Sequence, residues 1–89
     1  MRKRADWMVK ADEVILEVLE GGLMLGPTAI AKNGDLSRQH VTNRVSILMA
    51  YGFVERVEEG YYQITDRGRA WLEGEIDASE LDPTGDRYE

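Results

Sequence analysis

The sequence predicts a small, mainly α-helical domain with one β-hairpin in its second half. Apolar residues recur at helical spacing in two long stretches, near 7–19 and 38–50. Glycine, proline and serine punctuate the chain at the ends of those stretches. Two short runs of strand formers, Phe53 to Val57 and Tyr61 to Ile64, flank a tight Glu58-Glu59-Gly60 turn. The chain has 89 residues, which suits one domain.

Taken in order, Trp7, Ala11, Val14, Ile15, Val18 and Leu19 form one apolar helix face, with Asp12, Glu13, Glu17 and Glu20 assigned to the solvent side. This first helix is expected to start near Ala5 or Asp6 and to stop at Gly21-Gly22. Leu23-Met24-Leu25 reads as a link. Gly26-Pro27 opens a second helix to about Lys32, with Ile30 and Ala31 inward, because proline at the first helical position loses no needed hydrogen bond. Asn33-Gly34-Asp35 is a turn. Ser37 caps a third helix from Arg38 to Ala50 or Tyr51, whose buried stripe is Val41, Val45 and Leu48, and Gly52 ends it. Thr65 caps a fourth helix to about Gly74 that buries Ala70 with Trp71 or Leu72. The expected core is Val14, Val18, Ile30, Val41, Val45, Leu48 and Val54. The domain is expected to span 1–75, and the acidic, turn-rich residues 76–89 to form a flexible tail. Helix, short helix, turn, longer helix, hairpin, helix is the order of a winged helix-turn-helix.

Charge and composition narrow the function. No cysteine is present, which removes disulfides and thiolate chemistry, and His40 is the single histidine, so no metal site is expected. No apolar run is long enough to span a membrane, and the basic start Met1-Arg2-Lys3-Arg4 leads into no apolar segment; a cytoplasmic protein is expected. No nucleophile–base constellation or phosphate loop points to an enzyme, and no cofactor is expected. Net charge is −6, with 17 acids against 11 bases, which opposes nucleic-acid binding on electrostatic grounds. The distribution is uneven, however. Residues 1–10 hold four bases against one acid, 27–56 hold four against two, and 57–89 hold three bases against ten acids.

The third helix carries the functional signal. From Leu36 to Met49 there is no carboxylate. With Val41 inward, Gln39, Asn43 and Ser46 point outward, flanked by His40 and Thr42. Gln and Asn can bond adenine bidentately and Arg can bond guanine. Arg38, Gln39, His40, Thr42, Asn43 and Ser46 are therefore the candidate base-reading residues in a DNA major groove. Ser37, Arg44 and Arg56 are the candidate phosphate ligands. Trp7, Trp71, Tyr61 and Tyr62 are expected in the core or an interface, and a homodimer is expected because operators are commonly symmetric.

Gly52-Phe53-Val54-Glu55-Arg56-Val57 and Gly60-Tyr61-Tyr62-Gln63-Ile64-Thr65, with the helical pattern before them, resemble the phage-repressor-like winged-helix family of halophilic archaea. The first piece also resembles MarR-type regulators. The resemblance covers about Ala5 to Leu81 and implies a duplex-DNA-binding transcriptional repressor. It also implies that the carboxylates serve hydration in a salt-rich cytoplasm. Two positions depart from the family. Gly26 stands where members often carry a Ser, Thr or Asp cap, and Glu58-Glu59 makes the wing tip acidic, leaving Arg56 as the wing's phosphate ligand. The acidic total keeps an alternative open: a winged helix that binds a partner protein and not DNA.

Overall fold

A computed structural model describes residues 3–22 and 24–81. The elements run α1 (Lys10–Leu19), α2 (Pro27–Gly34), α3 (Arg38–Ala50), β1 (Val54–Glu58), β2 (Tyr61–Ile64), α4 (Asp66–Leu72) and a short 3-10 turn at Ala78–Glu80. α1, α2 and α3 pack on one another, the hairpin follows α3, and α4 returns to α1. This is the winged helix-turn-helix that the order of elements predicts.

The hairpin is antiparallel, pairing Val54 with Ile64, Glu55 with Gln63, and Arg56 with Tyr62, with a bulge between Arg56 and Glu58. Leu25 adds a third short strand position, exchanging two backbone hydrogen bonds with Tyr62 at 2.9 and 3.0 Å. The segment around Leu25, expected as a plain link, thus ties the wing to the helical body.

α1 begins later than its periodicity suggests. Residues 5–8 form a turn closed by the Met8 amide on the Ala5 carbonyl, with Ala5 and Met8 buried. The buried side of α1 is Asp12, Ile15, Leu16 and Leu19. Those positions are spaced i, i+3, i+4, i+7, one helical stripe. Val14 and Val18, expected in the core, are only half-buried, because they turn toward α2. There a Cβ on Gly34 would stand 2.8 Å from Val14 Cγ1, so the glycine sets how closely α1 and α2 approach. Ile30, Val41, Val45, Leu48 and Val54 are buried as expected, joined by Phe53, Ile64, Trp71 and Leu72.

α2 runs to Gly34, two residues beyond the expected Lys32. The left-handed residue that ends it is Asp35, at φ 58. The Leu36 amide returns to the Ala31 carbonyl at 2.8 Å, a Schellman-type closure. α3 starts where Ser37 predicts, the Ser37 hydroxyl accepting the His40 amide at 3.1 Å. α4 is capped by Thr65, which accepts from the Gly68 amide and donates to the Gly52 carbonyl at 2.6 Å. It ends at Leu72, short of the expected Gly74.

Packing also continues past residue 75, where composition places the domain boundary. Ala78 is fully buried, and Ile76 and Leu81 pack against the core. Trp7 Nε1 donates to the Ala78 carbonyl at 3.2 Å. The acidic composition of 76–81 conceals this, because its few apolar residues all face inward. The rest of the expected tail, 82–89, lies outside the described residues.

Candidate nucleic-acid interface

α3 presents its polar face because its opposite face is committed to the core. Val41, Val45 and Leu48 are buried, whereas Arg38, Gln39, His40, Thr42 and Asn43 are all exposed. Ser46, one turn further on, is half-buried. The first two turns of α3 therefore stand clear of the body, where a groove-binding helix carries its reading residues. Some polar atoms there are already engaged. Thr42 Oγ1 donates to the Arg38 carbonyl at 3.0 Å, leaving its lone pairs and methyl group outward. Ser37 Oγ is occupied as the helix cap, so its first role is to hold the α3 N-terminus.

Arg44 does not join this surface. Its Nε and Nη2 donate to Asp12 Oδ1 and Oδ2, both at 2.7 Å, and Nη2 also reaches the Trp7 carbonyl at 3.0 Å. The Asp12 side chain has no exposed surface and the Arg44 side chain retains 15%. Hydrogen bonds to Asp12 raise the Arg44 pKa above its already high ordinary value. The expectation that Arg44 binds phosphate is corrected accordingly: its fork is turned inward. Position 44 lies three residues from Val41 and four from Leu48, within the buried stripe, and Asp12 falls likewise on the stripe of α1. Two opposite charges on two facing stripes are the sequence signal of this pair. Asp12, expected on the solvent side from its residue type, is buried because its helix position falls on the core-facing stripe.

Arg56 is exposed on β1, its guanidinium carbon 5.9 Å from the centre of the Tyr62 ring. Glu58 and Glu59 are exposed at the wing tip, and Glu55 takes a hydrogen bond from Gln63. A shallow groove between α2 and the wing has no local sequence pattern to announce it. It is lined by Gly26, Pro27, Thr28, Ala29, Lys32, Gly60 and Tyr61, and no carboxylate belongs to that lining. A Cβ at Gly26 would stand 3.0 Å from the Gly60 carbonyl oxygen. The unusual residue at this helix cap is thus explained by the close approach of the wing turn.

The four aromatics are placed differently. Trp71 is fully buried, and Trp7 stacks on Tyr51 with ring centres 3.6 Å apart and planes 2° from parallel. Tyr62 is half-buried and Tyr61 exposed. Among the described residues there is no metal-holding cluster, and no helix is long and apolar enough to cross a membrane.

The model of the winged helix-turn-helix phage repressor family matches residues 1–84. The chain belongs to that family. The phage repressor family is regulatory, so the protein is a DNA-binding regulator and not an enzyme. The chain is 32% identical over 87 residues to the "Repressor protein" of Halobacterium phage phiH, covering 92% of this chain and 98% of the relative. It is also similar to the PhiH1 repressor-like protein from Haloarcula marismortui, known from a crystal structure. That likeness has a TM-score of 0.84 at 28% identity, covering 94% of this chain and 98% of the other. The expectation of a phage-repressor-like winged helix is met in family and in fold.

Proposed function

We propose that this repressor-family protein binds duplex DNA sequence-specifically and reads the major groove with the first two turns of α3. The observation that carries the reading is the exposed, carboxylate-free face of Arg38, Gln39, His40, Thr42 and Asn43 on a chain otherwise rich in acids. Gln39 and Asn43 lie one turn apart, so both amides address the same groove. Arg38 serves as a base or phosphate ligand, and Ser46 lies at the inner edge of the reading surface. Arg56 at the wing base, with Lys32 of α2, supplies phosphate contact, while the acidic wing tip stays off the DNA. A homodimer on a two-fold operator is the working arrangement; sedimentation of the free protein and of the complex measures it.

The test is binding to the DNA flanking the protein's own gene, followed at high salt against unrelated DNA. Gln39→Ala and Asn43→Ala should each cost about 1–3 kcal/mol at the preferred site, with little change on unrelated DNA. Phosphate contacts carry the non-specific term, so Arg56→Ala should weaken all sequences alike. Full specific affinity in the double Gln39→Ala/Asn43→Ala variant would remove α3 as the reader. The exposed Glu58 and Glu59 then favour the second reading, a winged helix that docks on a basic partner protein.

A further inference from the structure

We propose that the Arg44–Asp12 ion pair is a positioning device that fixes the orientation of α3 on α1 and thereby sets DNA sequence discrimination, without itself touching DNA. The proposal rests on the reading of α3 as the DNA-binding helix. Four contacts meet at this point. Both Asp12 oxygens accept from the Arg44 fork at 2.7 Å, the Asp12 carboxylate also accepts the Val9 amide at 3.1 Å, and Arg44 Nη2 reaches the Trp7 carbonyl at 3.0 Å. Apolar stripes tolerate small rotations of one helix on another, because dispersion contacts are individually weak and non-directional. A planar fork on a buried carboxylate does not, because two parallel bonds fix angle as well as distance.

The location gives the pair leverage. Arg44 follows Asn43 directly and stands four residues after His40. A second anchor sits just beyond the far end of α3, where Tyr51 stacks on Trp7. Both anchors come from the segment Trp7 to Asp12, and the reading turns project freely ahead of them. Side chains extend about 5–6 Å from a helix axis, so a 20° rotation of α3 would move their tips by about 2 Å. Bidentate base contacts tolerate only a fraction of that. A buried ion pair is commonly no more stabilising than an apolar pair of similar size, which leaves orientation as what this one contributes.

The test uses the full chain with Asp12→Asn/Arg44→Met, which removes both charges together so that neither is left buried alone. The amide oxygen introduced by Asp12→Asn can still accept the Val9 amide. The expected result is a melting temperature close to that of the unchanged protein, altered residual dipolar couplings for the α3 amides, and at least a tenfold drop in the ratio of specific to unrelated DNA binding. The salt dependence should not change. Arg44→Lys keeps the charge but not the fork and should show an intermediate loss, so the proposal stays testable if the double variant does not fold. A folded double variant with an unchanged ratio overturns the proposal. So does a salt slope reduced by about one charge with equal weakening on all DNA, the mark of a phosphate ligand. Unchanged dipolar couplings would sink the positioning claim alone. An unchanged protein that binds no DNA at all would sink the proposed function.

Discussion

Gly68 shows how far one residue constrains this fold. It lies in the first turn of α4, and a Cβ there would run into the Phe53 carbonyl oxygen and stand 2.7 Å from Ile64 Cγ1. The Phe53 carbonyl already accepts the Thr65 amide at 3.0 Å, and Ile64 is paired with Val54 and buried, so the added methyl has nowhere to go. Gly68→Ala should destabilise the domain by about 1–3 kcal/mol, in the range of overpacked cores; thermal denaturation followed by circular dichroism measures it, and an unchanged melting point refutes it. Asp77 offers a titration. Hydrogen bonds from the Ser79 hydroxyl, and then from its amide, hold the Asp77 carboxyl below the usual carboxylate range. A lowered folded pKa stabilises the 3-10 turn above the unfolded value of 3.8 and loses that effect as pH falls through the folded one. As pH falls, the Ser79 amide signal should titrate with a midpoint below the usual carboxylate range, and Asp77→Ala should abolish that step.

Among the elements, α3 and the hairpin were the most legible. Ser37, Gly52 and Thr65 mark their borders with unambiguous chemistry, and the structure uses all three as the sequence suggests. The α2 ending was less legible, because an aspartate took the left-handed position for which the neighbouring glycine was the obvious candidate. Helical spacing placed the polar face of α3, but no local pattern shows that Arg44 meets a carboxylate 32 positions away. The 76–81 segment was hidden for the same reason: the Ala78 carbonyl is held by the Trp7 indole, 71 positions away. Truncation separates these segments. Removing 82–89 should leave the melting temperature unchanged. Removing 76–89 takes away Ala78 with the packed Ile76 and Leu81 and should cost on the order of 2–3 kcal/mol. Equal melting curves for the two truncations would contradict the packing of 76–81.

For the whole molecule, the decisive quantity is charge. Seventeen carboxylates oppose eleven bases in one small domain, and self-repulsion weakens as ions shorten the Debye length from about 10 Å at 0.1 M to about 3 Å at 1 M. The melting temperature should therefore rise from dilute buffer to molar KCl, as suits relatives from a Halobacterium phage and from Haloarcula marismortui. A melting point flat across that range would mean that repulsion is already balanced within the fold. A phosphate backbone approaching the protein meets the same field, and on the proposed reading it would dock where α3 carries no carboxylate.

The two tryptophans carry one more consequence. Trp7 Nε1 holds the Ala78 carbonyl and Trp71 Nε1 holds the Lys3 carbonyl at 3.0 Å, so the beginning and end of the domain are stitched to each other. On the ribosome, these two contacts can form only after residues 71 and 78 have left the exit tunnel, after the three leading helices have emerged. A nascent chain would stay incomplete and open to chaperones throughout its synthesis. Conversely, a linker from the segment that ends at Leu81 to the one that begins at Lys3 could join the two stitched segments, with the chain reopened at the exposed wing turn, Glu59-Gly60. Such a circular permutant would show whether the order of synthesis matters to the fold or only its contacts.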